Sequence, residues 1–192
     1  TIARNFGPDN QRNPPGCKSW AGRSANLLRT NDPELVVLLT GMWDLLDAQI
    51  PGGGDTWRTF GDPLYDQFVR QELTAVTDAY TSTGACVVWL TTPDIADTNS
   101  SVIGPQGPGP GKYVYSGRNN ERVRRLNLAI RDVVATRPSS RVADLPTWMQ
   151  DHFDDADLRP DGMHFAPAES SRVGTELLGP ALTAQYQSCR AG

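Results

Sequence analysis

The sequence has few lysines, and its charge balance is slightly acidic. Only Lys18 and Lys112 are lysines among the 192 residues, so arginine supplies nearly all of the positive charge. The formal net charge is -4, from 22 acidic and 18 basic residues. Recognition of nucleic acid needs a concentrated basic surface that neutralises phosphates. We therefore expect no nucleic-acid partner.

Long apolar runs and targeting signals are also missing from the chain. No stretch approaches the roughly 18–20 apolar residues that a membrane-spanning helix requires. No basic and then apolar start of the kind found in secretory signal peptides is present. Both statements concern these 192 residues alone, which begin at Thr1 rather than at methionine.

Cysteine and histidine are too scarce for a metal framework. The three cysteines allow at most one disulfide and one free thiol, and their spacing matches no zinc pattern. His152 lies among four aspartates within residues 151–157, but this run misses the spacing of a twelve-residue calcium loop. We expect a solvated acidic loop there and no metal site.

Continuous runs of valine and leucine mark the predicted strands. They are typical of parallel strands that helices bury on both faces, and they occupy residues 34–40 and 85–92, with a shorter candidate at 141–146. Helical patterns are predicted at about 20–28, 63–80, 119–136 and 168–187, the last interrupted near Gly179 and Pro180. This alternation predicts one α/β domain over residues 1–192, a three-layer sandwich with a mostly parallel sheet.

Several polar and aromatic side chains have two possible roles. Trp57 and Trp148 fall on predicted loops, where each is either core or a wall of a site. Arginines 122, 124 and 125 are expected on the solvated face of a helix, with Asn127 as a polar packing group. The Gly- and Pro-rich stretch from 94 to 115 predicts a loop or lid.

The segment "LRPDGMHFAPAES", residues 158–170, carries the strongest chemical signal. Asp161 precedes His164 by three residues, just before the last predicted helix and therefore near the carboxyl edge of the sheet. An imidazole can take a proton from a serine hydroxyl, and a carboxylate on its other nitrogen fixes its tautomer and orientation. The alternative is that Asp161 is only a turn residue beside Gly162.

This segment resembles the last signature block of the SGNH (GDSL-type) hydrolases and acyltransferases. Two further segments fit that family: "ELVVLLTGMWDLLD" at 34–47 is similar to its strand and G-x-N-D block, and "NPPGCKSW" at 13–20 to its oxyanion glycine block. The likeness is closest to SGNH domains attached to bacterial membrane-bound O-acyltransferases. It covers about residues 14–182 in the expected order.

The resemblance implies a flavodoxin-like sheet and a set of site residues. His164 would be the general base, Asp161 its orienting carboxylate, and Gly16 a backbone donor to the oxyanion. The second block makes Gly41, Trp43 and Asp44 candidates for oxyanion or substrate binding, although Trp43 stands where the family has an asparagine donor. No cofactor is implied.

The family's nucleophile, a serine in a G-D-S block after the first strand, has no counterpart here. Residues 1–13 contain no serine, and Ser19 and Ser24 follow the glycine block. We therefore expect the first βα unit to lie outside this chain, which alone would be inactive. Cys17 is a candidate to pair with Cys189 or with a cysteine in that outside segment.

The resemblance implies a serine esterase or O-acyltransferase that acts on short acyl esters of cell-envelope glycans through an acyl-serine. Its partners would be an acylated or acyl-accepting polysaccharide and an upstream membrane acyltransferase domain. The location would be extracytoplasmic, either membrane-tethered or secreted. The alternative is a non-catalytic α/β module that binds a glycan or a protein in the same cleft.

Overall fold

The fold is that of a computed structural model, which describes residues 3–4, 20–40, 42–95, 117–152, 157–160, 162 and 164–191. Its strands are β1 (Ala3–Arg4), β2 (Leu35–Leu39), β3 (Ala48–Gln49), β4 (Cys86–Leu90) and β5 (Ser140–Ala143). Its α-helices are α1 (Trp20–Asn31), α2 (Pro63–Thr81), α3 (Gly117–Ala135), α4 (Leu145–Met149), α5 (Ser170–Arg172) and α6 (Gly179–Ala191). Shorter 3-10 turns occur at Met42–Leu45, Gln150–His152 and Pro167–Glu169, and a π-helix at Val173–Leu178.

A three-stranded parallel sheet of order β2-β4-β5 forms the centre of the fold. Leu35 lies opposite Cys86, and Val87 lies opposite Ser140. The α/β class and the three predicted strands are confirmed. The third strand ends earlier than predicted, at Ala143, because Leu145 and Pro146 already form the first turn of α4. Proline suits that turn, since its missing N–H would have no partner there.

Helices α2 and α3 cover one face of the sheet. Val87 and Trp89 of β4 pack with the apolar stripe of α3, including Val123 and Leu126, in one buried core. The start of α2 is capped by Asp62, whose carboxylate accepts hydrogen bonds from the amides of the helix's first turn. The predicted helices at 63–80 and 119–136 are therefore confirmed.

The other face carries α6 and the only disulfide among the described residues. Cys86 bonds to Cys189, which excludes Cys189 as one of the two partners considered for Cys17; Cys17 itself lies outside the described residues. Cys86 is available because it alternates with Val88 and Leu90 on the face that packs against α6. The expected interruption at Gly179 is a change from π- to α-helical hydrogen bonding.

Strand β2 departs from the expectation that both of its faces are buried. Val36 and Leu38 pack into the core with α2 and α3, but Val37 and Leu39 on the opposite face are 40% and 64% exposed. Leu35 is the residue of that face that packs into the core beside α6. Within the described part of the chain, β4 is the only strand that pairs with β2.

Candidate functional site

The carboxyl ends of the three strands are joined by side-chain hydrogen bonds. The Thr91 hydroxyl after β4 donates to Asp144 Oδ1 after β5 at 2.9 Å. The Thr92 hydroxyl donates to the carbonyl of Thr40, directly after β2, also at 2.9 Å. The segment that follows β4 therefore bridges the two outer strands at the edge where open parallel sheets carry their functional groups.

Two asparagines on α3 fix this same segment. Asn127 accepts from the Thr92 amide at 2.9 Å and donates to the Thr92 carbonyl at 2.7 Å. Asn120, two helical turns earlier, makes the same pair of bonds to Ile95, at 2.8 and 3.1 Å. Asn127 was expected to be a polar packing group, but its amide replaces the backbone partners that a neighbouring strand would supply.

Three residues donate hydrogen bonds to the Asp144 carboxylate at this edge. Burial by itself would raise its pKa, but hydrogen bonds from Thr147, Arg131 and Thr91 outweigh that effect and lower the pKa below the usual value. Arg131 approaches Asp144 Oδ2 to 2.7 Å. The carboxylate is therefore ionised at neutral pH and joins α3, β4 and α4.

The loop of the D-x-x-H block is attached to this edge by Arg159. Its guanidinium Nη1 donates to the backbone carbonyl of Asp94 at 2.9 Å, and the residue is 2% exposed. Leu158 is fully buried in the core beside α6. The loop is closed by the amide of Ala166, which donates to the Leu158 carbonyl at 2.9 Å. His164 lies exposed near the end of this closed loop.

The other predicted site residues are only partly described. Asp161, Gly16 and Gly41 lie outside the described residues. Trp43 belongs to the 3-10 turn Met42–Leu45, and its side chain is not among the described atoms. Asp44 is half-buried in the same turn, and its carbonyl accepts from the Tyr65 hydroxyl at 3.1 Å.

Asp44 and His164 are carried by segments that pack on different faces of the sheet. Leu45, beside Asp44, lies in the core with α2 and α3, whereas Leu158 anchors the His164 loop in the core with α6. Arg122 also holds the Asp44 turn, donating to the Leu45 carbonyl at 2.7 Å. The expectation that Arg122 lies on a solvated helix face is therefore wrong, since it bonds to a loop across the fold.

A cavity of about 260 Å³ lies between the sheet and α2. Its wall is mainly apolar, with Thr40 and Asp44 at the strand end and Glu72 on α2 as polar members. The Thr40 hydroxyl oxygen is buried and has no hydrogen-bond partner among the described residues. The cavity could therefore hold a small, mainly apolar group with one hydrogen-bonding atom.

The region after β5 differs from the expected loop. Trp148 lies on α4, half-buried in the core beside α6, and its ring stacks against that of His152 at a centroid distance of 4.7 Å. Trp148 therefore packs against the core and one histidine. Among the described residues, no group of three or more His, Cys, Asp or Glu side chains is placed to hold a metal ion. Residues 153–156 of the acidic run are outside them.

Arg159 and Asn120 are structural members of the site that the sequence did not reveal, and for Asn127 it predicted only a general packing role. The sequence feature that could have identified Arg159 is its position directly before Pro160 and the D-x-x-H block. The feature that could have identified the two asparagines is their spacing of seven residues on one helix. Of the helices in the described ranges, none has the length and apolar character that crossing a lipid bilayer requires.

Comparison of the chain with protein-family models and with curated proteins gives no significant match. The structure itself defines the class as an α/β protein with a parallel sheet and helices on both faces. Any assignment of function therefore depends on the geometry and chemistry of the carboxyl edge.

Proposed function

We propose that the chain forms the larger part of an SGNH-type serine esterase or O-acyltransferase domain with a flavodoxin-like sheet. The observation that carries this proposal is the attachment of the His164 loop to the segment after β4, through Arg159 and Asp94. The attachment supports a position of the exposed His164 imidazole near the carboxyl edge of the parallel sheet, where such a site is expected.

In this mechanism the nucleophilic serine comes from a strand-and-helix unit outside the 192 residues. His164 takes the hydroxyl proton as the serine attacks the ester carbonyl, and Asp161 holds the imidazole in the required tautomer. Backbone amides of the serine's own loop and of Gly16 bind the oxyanion. His164 then gives its proton to the leaving alcohol, and water or a sugar hydroxyl resolves the acyl-serine. No metal or organic cofactor is required.

The open side of β2 supports a missing strand-and-helix unit. A parallel strand beside the edge of β2 that has no partner within the described residues, followed by a helix, would pair that edge and cover Val37 and Leu39 at the same time. Parallel sheets are normally covered by helices on both faces, which explains why β2 carries an uninterrupted apolar sequence. The proposal therefore explains two features by one strand-and-helix unit outside the 192 residues: the exposed face of β2 and the lack of a nucleophilic serine.

The disulfide supports the proposed location. Disulfides persist in oxidising compartments and are rare in the cytosol, so Cys86–Cys189 favours an extracytoplasmic protein. The resemblance suggests short acyl esters of cell-envelope polysaccharide as substrates and a membrane acyltransferase domain as the upstream neighbour. The apolar cavity beside Thr40 is small enough to suit a short acyl group.

The decisive test compares the two histidines in the longer protein that includes the segment preceding Thr1. Hydrolysis of p-nitrophenyl acetate should fall about a thousandfold or more in His164→Ala, because a serine triad loses its proton acceptor. His152→Ala is the matched control and should stay within about threefold of the unaltered protein, since removing its stacking contact leaves the triad intact. Equal activity of both variants would reject the triad and favour the non-catalytic binding module.

A second test addresses the open side of β2. Leu39→Lys should change the free energy of unfolding of the 192-residue chain by less than about 0.5 kcal/mol, because Leu39 is largely exposed. In the longer protein the same change should cost about 2 kcal/mol or more, since a covered leucine contributes that much. Leu128→Lys on α3 is the matched control, because Leu128 is similarly exposed and should be neutral in both proteins. A neutral Leu39→Lys in the longer protein would argue against docking at β2.

A further inference from the structure

Arg159 is a buried charged side chain that the proposed mechanism does not use. It is 2% exposed, although arginine is rarely buried without a specific partner. Its Nη1 donates to the Asp94 carbonyl at 2.9 Å. Removing a guanidinium from water is unfavourable unless hydrogen bonds replace the lost hydration. The position of Arg159 therefore calls for a structural reason.

The residue that accepts the Arg159 hydrogen bond is itself held in place. Asn120 binds both backbone polar groups of Ile95, the residue after Asp94. Arg124 pairs with the Asp94 carboxylate at 2.9 Å from the solvent side. Arg159 therefore bonds to a part of the backbone whose position α3 already fixes.

Two backbone hydrogen bonds among the described residues also constrain the segment that carries His164. The Gly162 amide donates to the Arg159 carbonyl at 2.8 Å, and Gly162 has a φ of 75° that a side chain would disfavour. The Ala166 amide closes the loop on the Leu158 carbonyl at 2.9 Å. His164 lies between these two hydrogen bonds, so its backbone position depends on where residues 158 and 159 are held.

We propose that Arg159 is a positioning residue for His164: its buried guanidinium holds the 158–166 loop against the segment after β4 and thereby sets where the His164 backbone lies at the carboxyl edge of the sheet. Its catalytic importance rests on the proposed function, whereas its effect on the loop does not. A lysine cannot replace it fully, because one ammonium lacks the planar set of donors of a guanidinium.

The test on the 192-residue chain uses amide hydrogen exchange and the two histidine ring signals in NMR. Arg159→Met should reduce protection of the Gly162 and Ala166 amides about tenfold or more and shift the His164 ring signals. The His152 signals and the β4 amides should remain unchanged. Arg124→Met is the matched control, because it removes a contact to the same Asp94 from the exposed side and should leave His164 unaffected.

Unchanged loop protection and unchanged His164 signals in Arg159→Met would overturn the proposal. If the β4 amides also lose protection in Arg159→Met, the Arg159→Lys variant decides the question. A smaller loss of protection in Arg159→Lys, confined to the amides of the 158–166 loop, supports the proposal. Full protection of those loop amides in Arg159→Lys rejects it. In the longer protein, Arg159→Met should lower kcat about tenfold or more with KM within about threefold. A disturbed loop with no effect of His164→Ala on turnover would leave the positioning role intact and reject the esterase function.

Discussion

Reduction of the Cys86–Cys189 disulfide should remove a large part of the stability of the chain. The bridge closes a loop of 103 residues. In the chain-entropy treatment, a loop of that length loses about 16 cal/mol/K on closure, which is about 4.7 kcal/mol at 25 °C. Domains are typically stable by only about 5–15 kcal/mol. The reduced chain should therefore be marginally folded or unfolded at 37 °C.

Urea unfolding with and without a phosphine reductant measures this effect. Cys189→Ala should match the reduced protein within about 1 kcal/mol, because both lack the cross-link, and Cys17→Ala should behave as the oxidised parent. Peptide mapping without reductant should recover residues 86 and 189 in one cross-linked fragment. The reasoning fails if the reduced and oxidised proteins differ by less than about 1 kcal/mol, or if Cys17 is found in the bridge.

Two further predictions concern the carboxyl edge of the sheet. Asn127→Ala should lower the free energy of unfolding by about 2–4 kcal/mol in urea, because both backbone polar groups of Thr92 lose their partner. The ionised form of Asp144 stabilises the fold fully above its unfolded pKa of about 4, and this contribution is lost as pH falls through the lowered folded pKa. Asp144→Asn should therefore flatten the decline of stability below about pH 4.

Each of these predictions has a control within the chain. Arg124→Ala breaks an exposed ion pair near Asn127 and should cost less than about 1 kcal/mol. Asp78 also has a lowered pKa, because Arg137 donates a hydrogen bond to it, but its side chain is 55% exposed. Asp78→Asn should accordingly change the decline of the free energy of unfolding at low pH less than Asp144→Asn does. A larger effect at Asp78 would show that the hydrogen bonds to Asp144 do not control the acid stability.

The sequence predicts those parts of the fold that local pattern decides. Val87, Val88 and their neighbours form a run that can only be accommodated in a covered strand, and β4 is fully buried. The stripe of Val123, Leu126 and Ile130 likewise predicts α3. In both cases the pattern repeats within one element, so no knowledge of distant residues is needed.

The site is harder to predict because its contacts join distant parts of the chain. Asn127 and Thr92 form hydrogen bonds although they are 35 residues apart in the sequence, and Arg159 and Asp94 are 65 residues apart. Each amide or guanidinium has many possible partners before the helices pack, and periodicity does not distinguish among them. The same reason explains why Cys86 was not foreseen as the partner of Cys189, since that choice depends on which strand face α6 covers.

For strand β2, the sequence predicted the strand correctly but the burial of both its faces incorrectly. Its sequence, LVVLL, is that of an interior strand, yet within the described residues it has one paired edge and one partly open face. Edge strands usually carry lysine, proline or a bulge that discourages further pairing, and β2 carries none of these. An apolar strand without such protection is suited to accept another strand. The feature that made the prediction of full burial wrong is thus the one that supports a docked strand-and-helix unit beside it.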